Sequence, residues 1–229
     1  MPEDRSSTLV TISNPRSPIS EAFRTLRTNL EFSSLDKPIR SMVVTSAAPE
    51  EGKSTTLANL AVAIAQAGKR VILVDCDLRR PSLHQIFGAR GAPGFTDMMR
   101  DDTLMSKPPL QDTSLSNLRL LVSGTIPPNP AELIASRRMS EVITALQQLA
   151  DMILFDAPPV VAVTDAALLA TKVDAVLLVV SAGKTKRDHA KKAKVLLEKV
   201  NAHLIGTVLN NVKGEMSLYQ YYSSEEKPA

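Results

Sequence analysis

The sequence has 229 residues, of which 44% are hydrophobic, with 27 lysines and arginines against 24 aspartates and glutamates. This composition excludes a disordered chain, a repetitive fibre and a small disulfide scaffold, and the length fits one α/β domain. The net charge of +3 is too small, and its basic residues too scattered, to predict a nucleic-acid partner. Because Cys76 is the single cysteine and no apolar run reaches about 20 residues, we expect a protein of the reducing cytoplasm whose membrane contact comes through a partner.

The N-terminal residues 1–16 are polar and predict a flexible segment. Ser17 and Pro18 then provide an N-cap and a proline at the first helical position, which predicts a helix. Glu21, Arg24 and Arg27 recur every three residues along one face of this helix. From their spacing alone, a solvated face with intrahelical ion pairs is the favoured interpretation.

Short apolar runs rich in β-formers alternate with helical patterns over residues 17–212, which we take as one domain. This alternation predicts a mainly parallel α/β sheet with helices on both faces. Residues 88–109 are hardest to interpret and predict loops with one short helix. The predicted strands are Met42–Ser46, Val71–Asp75, Leu118–Ser123, Met152–Asp156, Ala175–Ser181 and Leu204–Asn210, and the later helices are Thr55–Ala67, Pro130–Leu149, Asp165–Thr171 and Lys186–Val200.

A phosphate-binding loop is predicted where the first strand gives way to a helix, at Glu51, Gly52, Lys53, Ser54 and Thr55. Backbone N–H groups of such a loop surround a phosphate, the lysine reaches the β- and γ-phosphates, and the serine hydroxyl ligates Mg²⁺. The pattern therefore predicts ATP and Mg²⁺ as cofactors.

This loop departs from the usual phosphate-loop pattern at two positions. Ala47 stands where the first glycine is expected, and Glu50 places a carboxylate among residues that are commonly glycine. A carboxylate beside a triphosphate repels it unless the side chain points to solvent. Our hypothesis is that Glu50 weakens ATP affinity without abolishing it.

Three aspartates at strand ends complete the predicted site. On an extended segment Asp75 and Asp77 would lie about 7 Å apart, with both carboxylates projecting the same way, so that they can share a metal ion. Asp156 ends another predicted strand and is suited to hold Mg²⁺ directly or through water. Phosphoryl transfer to a hydroxyl also needs a base, and either Asp75 or Asp77 can supply it.

These motifs resemble those of the bacterial tyrosine kinases (BY-kinases) of capsular and extracellular polysaccharide synthesis, a branch of the deviant P-loop ATPases. The likeness covers residues 17–222. It rests on Gly52–Thr55, on the run from Asp75 through Asp77 to Arg79, on Ile153–Pro159 and on the segment Ser123–Leu133.

The resemblance implies an ATP-dependent protein-tyrosine kinase that regulates polysaccharide synthesis and export. It assigns Glu21, Arg24 and Arg27 to subunit contacts in a homo-oligomer, an octameric ring, and Asn210 to the adenine. Further implied partners are a transmembrane activator or adaptor, protein substrates with tyrosines and a cognate phosphotyrosine phosphatase.

All three tyrosines of the chain, Tyr219, Tyr221 and Tyr222, lie within four positions of the polar C-terminal segment 213–229. A core has no use for tyrosines only there, although aromatic residues can also dock a tail on a neighbouring surface. We interpret them as autophosphorylation sites in a flexible tail that reaches the active site of a neighbouring subunit.

Two other functions stay open at this point. The first is a ParA/MinD-type positioning ATPase, but Ala48 stands where those relatives carry a signature lysine. The second is a nucleotide-binding scaffold whose catalysis Glu50 has weakened.

Overall fold

The computed structural model describes residues 9–33 and 38–212. In this part of the chain a single sheet contains the strands β1 Ser41–Ser46, β2 Val71–Asp75, β3 Gln111–Asp112, β4 Leu118–Leu121, β5 Met152–Asp156, β6 Ala175–Ser181 and β7 Leu204–Asn210. Their order across the sheet is β3-β4-β2-β5-β1-β6-β7.

The sheet is parallel except for β3, which pairs antiparallel with β4. Residues of β1, β2, β5 and β6 are buried throughout, as expected for continuous apolar runs covered on both faces. The predicted fold class and all six predicted strands are confirmed. Strand β3 was not predicted, because two residues are too few to show a pattern.

Helices cover both faces of the sheet. The predicted helix after Ser17 is confirmed, and the Ser17 hydroxyl accepts a bond of 3.1 Å from the N–H of Ser20. The predicted helix over 130–149 is divided at Ser136, and residues 88–109 contain two short helices rather than one. The helices are α1 Val10–Ser13, α2 Pro18–Phe32, α3 Lys53–Gln66, α4 Leu83–Ile86, α5 Phe95–Met98, α6 Asp102–Ser106, α7 Pro130–Ala135, α8 Arg137–Gln147, α9 Asp165–Ala170 and α10 Arg187–Lys199.

The predicted flexible segment 1–16 is wrong for residues 9–16, which belong to the folded body. Thr11 is buried, and its N–H and hydroxyl donate to the side-chain oxygen of Asn59 in α3 at 3.1 and 2.9 Å. The Ser20 hydroxyl also donates to the carbonyl of Asn14 at 2.7 Å. A polar segment can therefore be ordered when its polar groups find specific partners, which composition does not reveal.

The charged positions of α2 have partners within the chain. Glu21 and Arg24 form an intrahelical ion pair, and Arg24 also donates to the carbonyl of Pro15. Arg27 donates to the carbonyl of Ala63, near the end of α3, at 3.3 Å. The Glu21–Arg24 pair is the intrahelical pairing expected from the spacing, whereas Arg27 contacts another helix. A subunit contact through these residues stays a prediction.

Side chains alternate between the two faces of the sheet along each strand, so the core forms two layers. The register of the strands sets where they end. Alternate residues of β5, such as Ile153 and Phe155, pack with α8 and α9, while Leu154 packs on the opposite face with α3. Strand β5 lies between β2 and β1, and Asp75 is in register with Asp156. The ends of these three strands meet at one edge, where parallel sheets bind ligands.

Candidate functional site

The loop between β1 and α3 forms an anion cradle at this edge. Gly52 has a φ of +83°, in the left-handed region that favours glycine, and a Cβ there would lie 2.1 Å from the side-chain nitrogen of Asn210. That nitrogen donates to the carbonyl of Glu51 at 3.0 Å. Among the described residues no side chain caps the start of α3, so its first N–H groups can face a phosphate.

Lys53 carries the positive charge of this cradle. Its Nζ lies 2.8 Å from Asp77 Oδ2 and 3.2 Å from Asp156 Oδ1, and its side chain is only 12% exposed. Burial lowers the pKa of Lys53, but Asp156 and Asp77 outweigh burial, so the pKa is raised. The ammonium is therefore charged and held between two carboxylates.

Ser54 joins the same cluster through its hydroxyl. It donates to Asp156 Oδ2 at 2.5 Å and accepts from Lys53 Nζ at 3.0 Å. Asp156 is fully buried, and this burial raises the pKa of its carboxyl, against the lowering effects of Lys53 and the Ser54 hydroxyl. The sequence prediction that Lys53, Ser54, Asp77 and Asp156 come together matches this geometry.

Asp75 differs from its predicted position. Strand β2 ends at Asp75, and its carboxylate accepts bonds from the N–H groups of Asp77, Ser82 and Leu83 at 3.2, 3.0 and 3.0 Å. Asp77, by contrast, reaches Lys53. The expectation of two carboxylates projecting the same way from an extended segment is wrong, because β2 ends at Asp75 and the Asp75 carboxylate bonds to the amides of the following loop.

The buried Asp75 carboxyl also lies within the electrostatic influence of Asp156. Burial raises the pKa of Asp75 to about 7, and the nearby Asp156 carboxylate contributes to the rise. The amide bonds from Leu83 and Ser82 and the charge of Lys53 oppose it. Additional positive charge at this cluster would favour the ionised carboxylates.

The side chain of Glu51 secures the loop instead of facing a ligand. It is buried, and its carboxylate accepts from the N–H of Ala48 at 2.9 Å and from the hydroxyl of Thr185. Only the backbone of Glu51 is therefore available for the predicted nucleotide contact. Thr185 was not predicted, because no local pattern marks a threonine that supports a distant loop.

Glu50 lines the same pocket as Lys53, but its carboxylate is turned to Lys184. Its φ is +60°, and its carboxylate is 79% exposed and lies 3.3 Å from Lys184 Nζ. Lys184 also donates to the Glu50 carbonyl at 3.1 Å. The loop thus keeps a glycine-like backbone at a glutamate, while the carboxylate charge is turned to solvent and partly neutralised.

A pocket of about 610 Å³ opens in front of the cradle. Thr55 lines it together with Lys53 and Ser54, and Arg79 and Arg80 contribute positive charge. Its apolar lining comes from Pro49, Ile86, Pro158, Pro159, Ala162 and Val163. Asn210 does not line this pocket, and its contact with adenine stays a prediction.

The oxygen ligands present fit a magnesium ion in part. Ser54, Asp77 and Asp156 offer hydroxyl and carboxylate oxygens around Lys53, the donor type that Mg²⁺ prefers. Within residues 9–33 and 38–212 no group of three His, Cys, Asp or Glu side chains is arranged to hold a metal by itself. A magnesium ion here would thus rely on waters and nucleotide oxygens as further ligands.

Two further observations concern the remaining predictions. Tyr219, Tyr221 and Tyr222 lie outside the described residues. None of the helices in the described part of the chain has the length and apolar character needed to cross a membrane.

Comparisons with known proteins agree with this geometry. A family model described as ParA, the NUBPL iron-transfer P-loop NTPase, matches residues 39–226. Tyrosine-protein kinase YwqD of Bacillus subtilis is 42% identical, over 95% of this chain and 92% of its own length. The chain belongs to the bacterial tyrosine kinases, within the ParA-like P-loop NTPases.

Other similar proteins agree with this family assignment. The putative tyrosine-protein kinase CapB of Staphylococcus aureus is 38% identical, over 93% of each chain. The crystal structure of the chimerical protein CapA2B2 has a TM-score of 0.86 at 40% identity, covering 91% of each chain. The cell division ATPase MinD of Pyrococcus furiosus is more distant, with a TM-score of 0.63 at 26% identity over 74% of this chain and 71% of its own.

The fit of Asn210 against Gly52 predicts the effect of a Gly52→Ala substitution. Both this change and the control Gly68→Ala place a side chain at positive φ, which costs about 1 kcal/mol in folding free energy. The Cβ at Gly68 meets nothing within 4 Å, whereas at Gly52 it displaces the Asn210 amide. Calorimetric titration with ATP should show weaker binding for Gly52→Ala alone, and equal affinities for the two variants would contradict this assignment.

The position of Glu50 predicts separable effects of charge and backbone. Glu50→Gln removes the charge and should strengthen ATP binding about two- to threefold, since an exposed charge acts weakly across solvent. Glu50→Gly should raise affinity similarly and also stabilise the fold by about 1 kcal/mol, because its φ of +60° suits glycine. ATP titrations and urea unfolding measure the two effects, and unchanged affinity in both variants would remove Glu50 from nucleotide binding.

Proposed function

We propose that this protein is an ATP-dependent protein-tyrosine kinase that phosphorylates its own C-terminal tyrosines. The main observation behind this proposal is the position of the Lys53 ammonium. Asp77 and Asp156 hold it next to the start of α3, which no side chain in the described part of the chain caps. This arrangement suits a terminal phosphate at an open pocket. The relatives named as tyrosine-protein kinases support the choice of acceptor.

The residues of the cluster have separate tasks in this reaction. The N–H groups at the start of α3 and the Lys53 ammonium bind and orient the phosphates. Ser54 and Asp156 would hold Mg²⁺, which would neutralise the charge of the transferred group. To contact a phosphate, Lys53 exchanges part of its contact with Asp77 for the phosphate oxygens.

Asp77 is the better base of the two aspartates. It lines the pocket, whereas Asp75 is fully buried and bonded to three backbone N–H groups. In the transfer, the bond from the γ-phosphorus to the bridging oxygen of ADP breaks and a bond to the tyrosine oxygen forms. The phenol proton passes to the Asp77 carboxylate, which therefore has to be ionised at the start.

The outward position of Glu50 supports a catalytic protein over a weakened scaffold. Its carboxylate contacts Lys184 and leaves the front of Lys53 open to an anion. The ParA/MinD-type alternative has the ParA family model and a more distant structural likeness in its favour, whereas relatives named as tyrosine-protein kinases match more than nine-tenths of the chain.

The assembly around this site follows from the resemblance to the BY-kinases. We infer a ring of eight subunits, with contacts that involve Glu21, Arg24 and Arg27 and with tails that enter neighbouring sites. A transmembrane activator would hold the ring at the inner face of the membrane, where phosphorylation regulates polysaccharide synthesis. A phosphatase would reverse the modification.

Incubation with labelled ATP and Mg²⁺ tests the activity. We expect label at Tyr219, Tyr221 or Tyr222, and its loss in Lys53→Met, because the variant lacks the ammonium that orients the phosphates. Lys107→Met, at an exposed lysine outside the pocket, is the control and should retain full labelling. Circular dichroism verifies that both variants fold. Release of free phosphate without labelled tyrosine would instead indicate a positioning ATPase, and neither product would indicate a scaffold.

Light scattering tests the assembly. Each added phosphate brings about −1.5 to −2 charges, so phosphorylated tails should repel one another and leave neighbouring sites. The measured mass should fall after incubation with ATP and Mg²⁺. A variant with all three tyrosines replaced by phenylalanine should keep its mass, and an unchanged mass in the unsubstituted protein would contradict dispersal by phosphorylation.

A further inference from the structure

Two consecutive arginines line the pocket beside the proposed base. Arg79 and Arg80 follow β2, and the N–H of Arg80 donates to Asp77 Oδ1 at 3.0 Å. The backbone position of Arg80 is thereby fixed relative to the carboxylate that faces the acceptor. A charge at this position acts on whatever approaches Asp77.

The charge of Arg79 is already neutralised. Its Nε and Nη2 donate to the two oxygens of Asp165 at 2.9 and 3.0 Å, a bidentate pair with a carboxylate that is fully buried at the start of α9. Such a pair fixes the guanidinium in one orientation. Arg79 is therefore part of the pocket wall.

Arg80 is different, because its guanidinium is exposed and has no carboxylate partner among residues 9–33 and 38–212. The other positive groups of the pocket, Lys53 and Arg79, are each paired with aspartates. Arg80 is thus the unpaired cation of the described pocket lining, and an anionic ligand group is the partner that its chemistry suits.

The sheet order separates this cation from the expected nucleotide base. Strand β2, which leads to Arg80, and strand β7, which carries Asn210, lie on opposite sides of β1. The triphosphate is expected over the start of α3, and adenine on the side of Asn210. The side of Arg80, with the apolar wall of Ile86, Pro159 and Val163, remains for the acceptor.

We propose that Arg80 selects acceptor tyrosines that have negative charge close by in sequence, either carboxylates or a phosphotyrosine already present. This inference rests on the proposed kinase function and deepens it. The chain's own tail has that composition, since Tyr219, Tyr221 and Tyr222 are followed by Glu225 and Glu226. A guanidinium binds a phosphate through two parallel bonds, so the first phosphorylation makes the neighbouring tyrosines better acceptors.

Peptide kinetics test this preference. The enzyme is the full chain with its three tail tyrosines changed to phenylalanine, so that its own tail does not compete as a phosphate acceptor. The peptides correspond to residues 217–229 in three forms: unmodified, with both glutamates changed to glutamine, and with Tyr222 already phosphorylated. At saturating ATP, kcat/KM should rise from the neutralised to the phosphorylated peptide by about tenfold, since bonds between charged groups are strong.

Arg80→Gln should reduce this difference to about twofold or less while the KM for ATP stays unchanged. Arg100→Gln is the matched control, because Arg100 is an exposed arginine that does not line the pocket, and it should keep the full preference.

The outcomes separate this inference from the function on which it rests. Equal kcat/KM values for the three peptides, or an equal loss of preference in the Arg100→Gln control, would overturn the role of Arg80 while leaving a tyrosine kinase. Failure to phosphorylate any of the peptides, together with an unlabelled tail in the unsubstituted protein, would overturn the kinase function itself.

Discussion

The contact of Lys53 with Asp77 and Asp156 is the interaction on which the site depends. A buried ammonium is costly unless carboxylates compensate it, and the two aspartates come from the ends of different strands. The cluster therefore exists only if β1, β2 and β5 end at one edge in the observed register. In the proposed function the same charges bind phosphate and magnesium, so ligand binding would rearrange existing ion pairs.

Much of the fold was predictable because the strands are buried on both faces. Runs such as Ile153–Phe155 are apolar without interruption, which identifies them as central parallel strands, and the acidic residues that end them indicate the site. Lys53 and Ser54 begin α3 directly after Gly52, so the local pattern was enough to predict their position. These features are local in sequence, and the structure bears out their placement.

The parts that sequence reasoning missed depend on distant partners. Thr11 is held in place by Asn59, which lies 48 residues later in the chain. The carboxylate of Glu51 is bound by the hydroxyl of Thr185, which follows β6 in the sequence. The turn after β2 placed Asp75 and Asp77 differently, because the amides of Ser82 and Leu83 compete for the Asp75 carboxylate. The spacing of residues in the sequence cannot predict these bonds to the Asp75 carboxylate, since they form only once the chain has folded back.

The same loop after β2 links the two halves of the proposed reaction. Asp75 holds the loop by accepting bonds from its backbone N–H groups, and Asp77 contacts Lys53. Arg80 is exposed and lines the pocket on the side proposed for the acceptor. One short segment, residues 75–80, thus holds a buried carboxylate, a proposed base and a cation that has no carboxylate partner in the described part of the chain. A shift of this loop would change phosphate contact and acceptor choice together, whereas the side of β1 that carries Asn210 could vary independently. Coupling between chemistry and acceptor selection is therefore expected at β2 and not at β7.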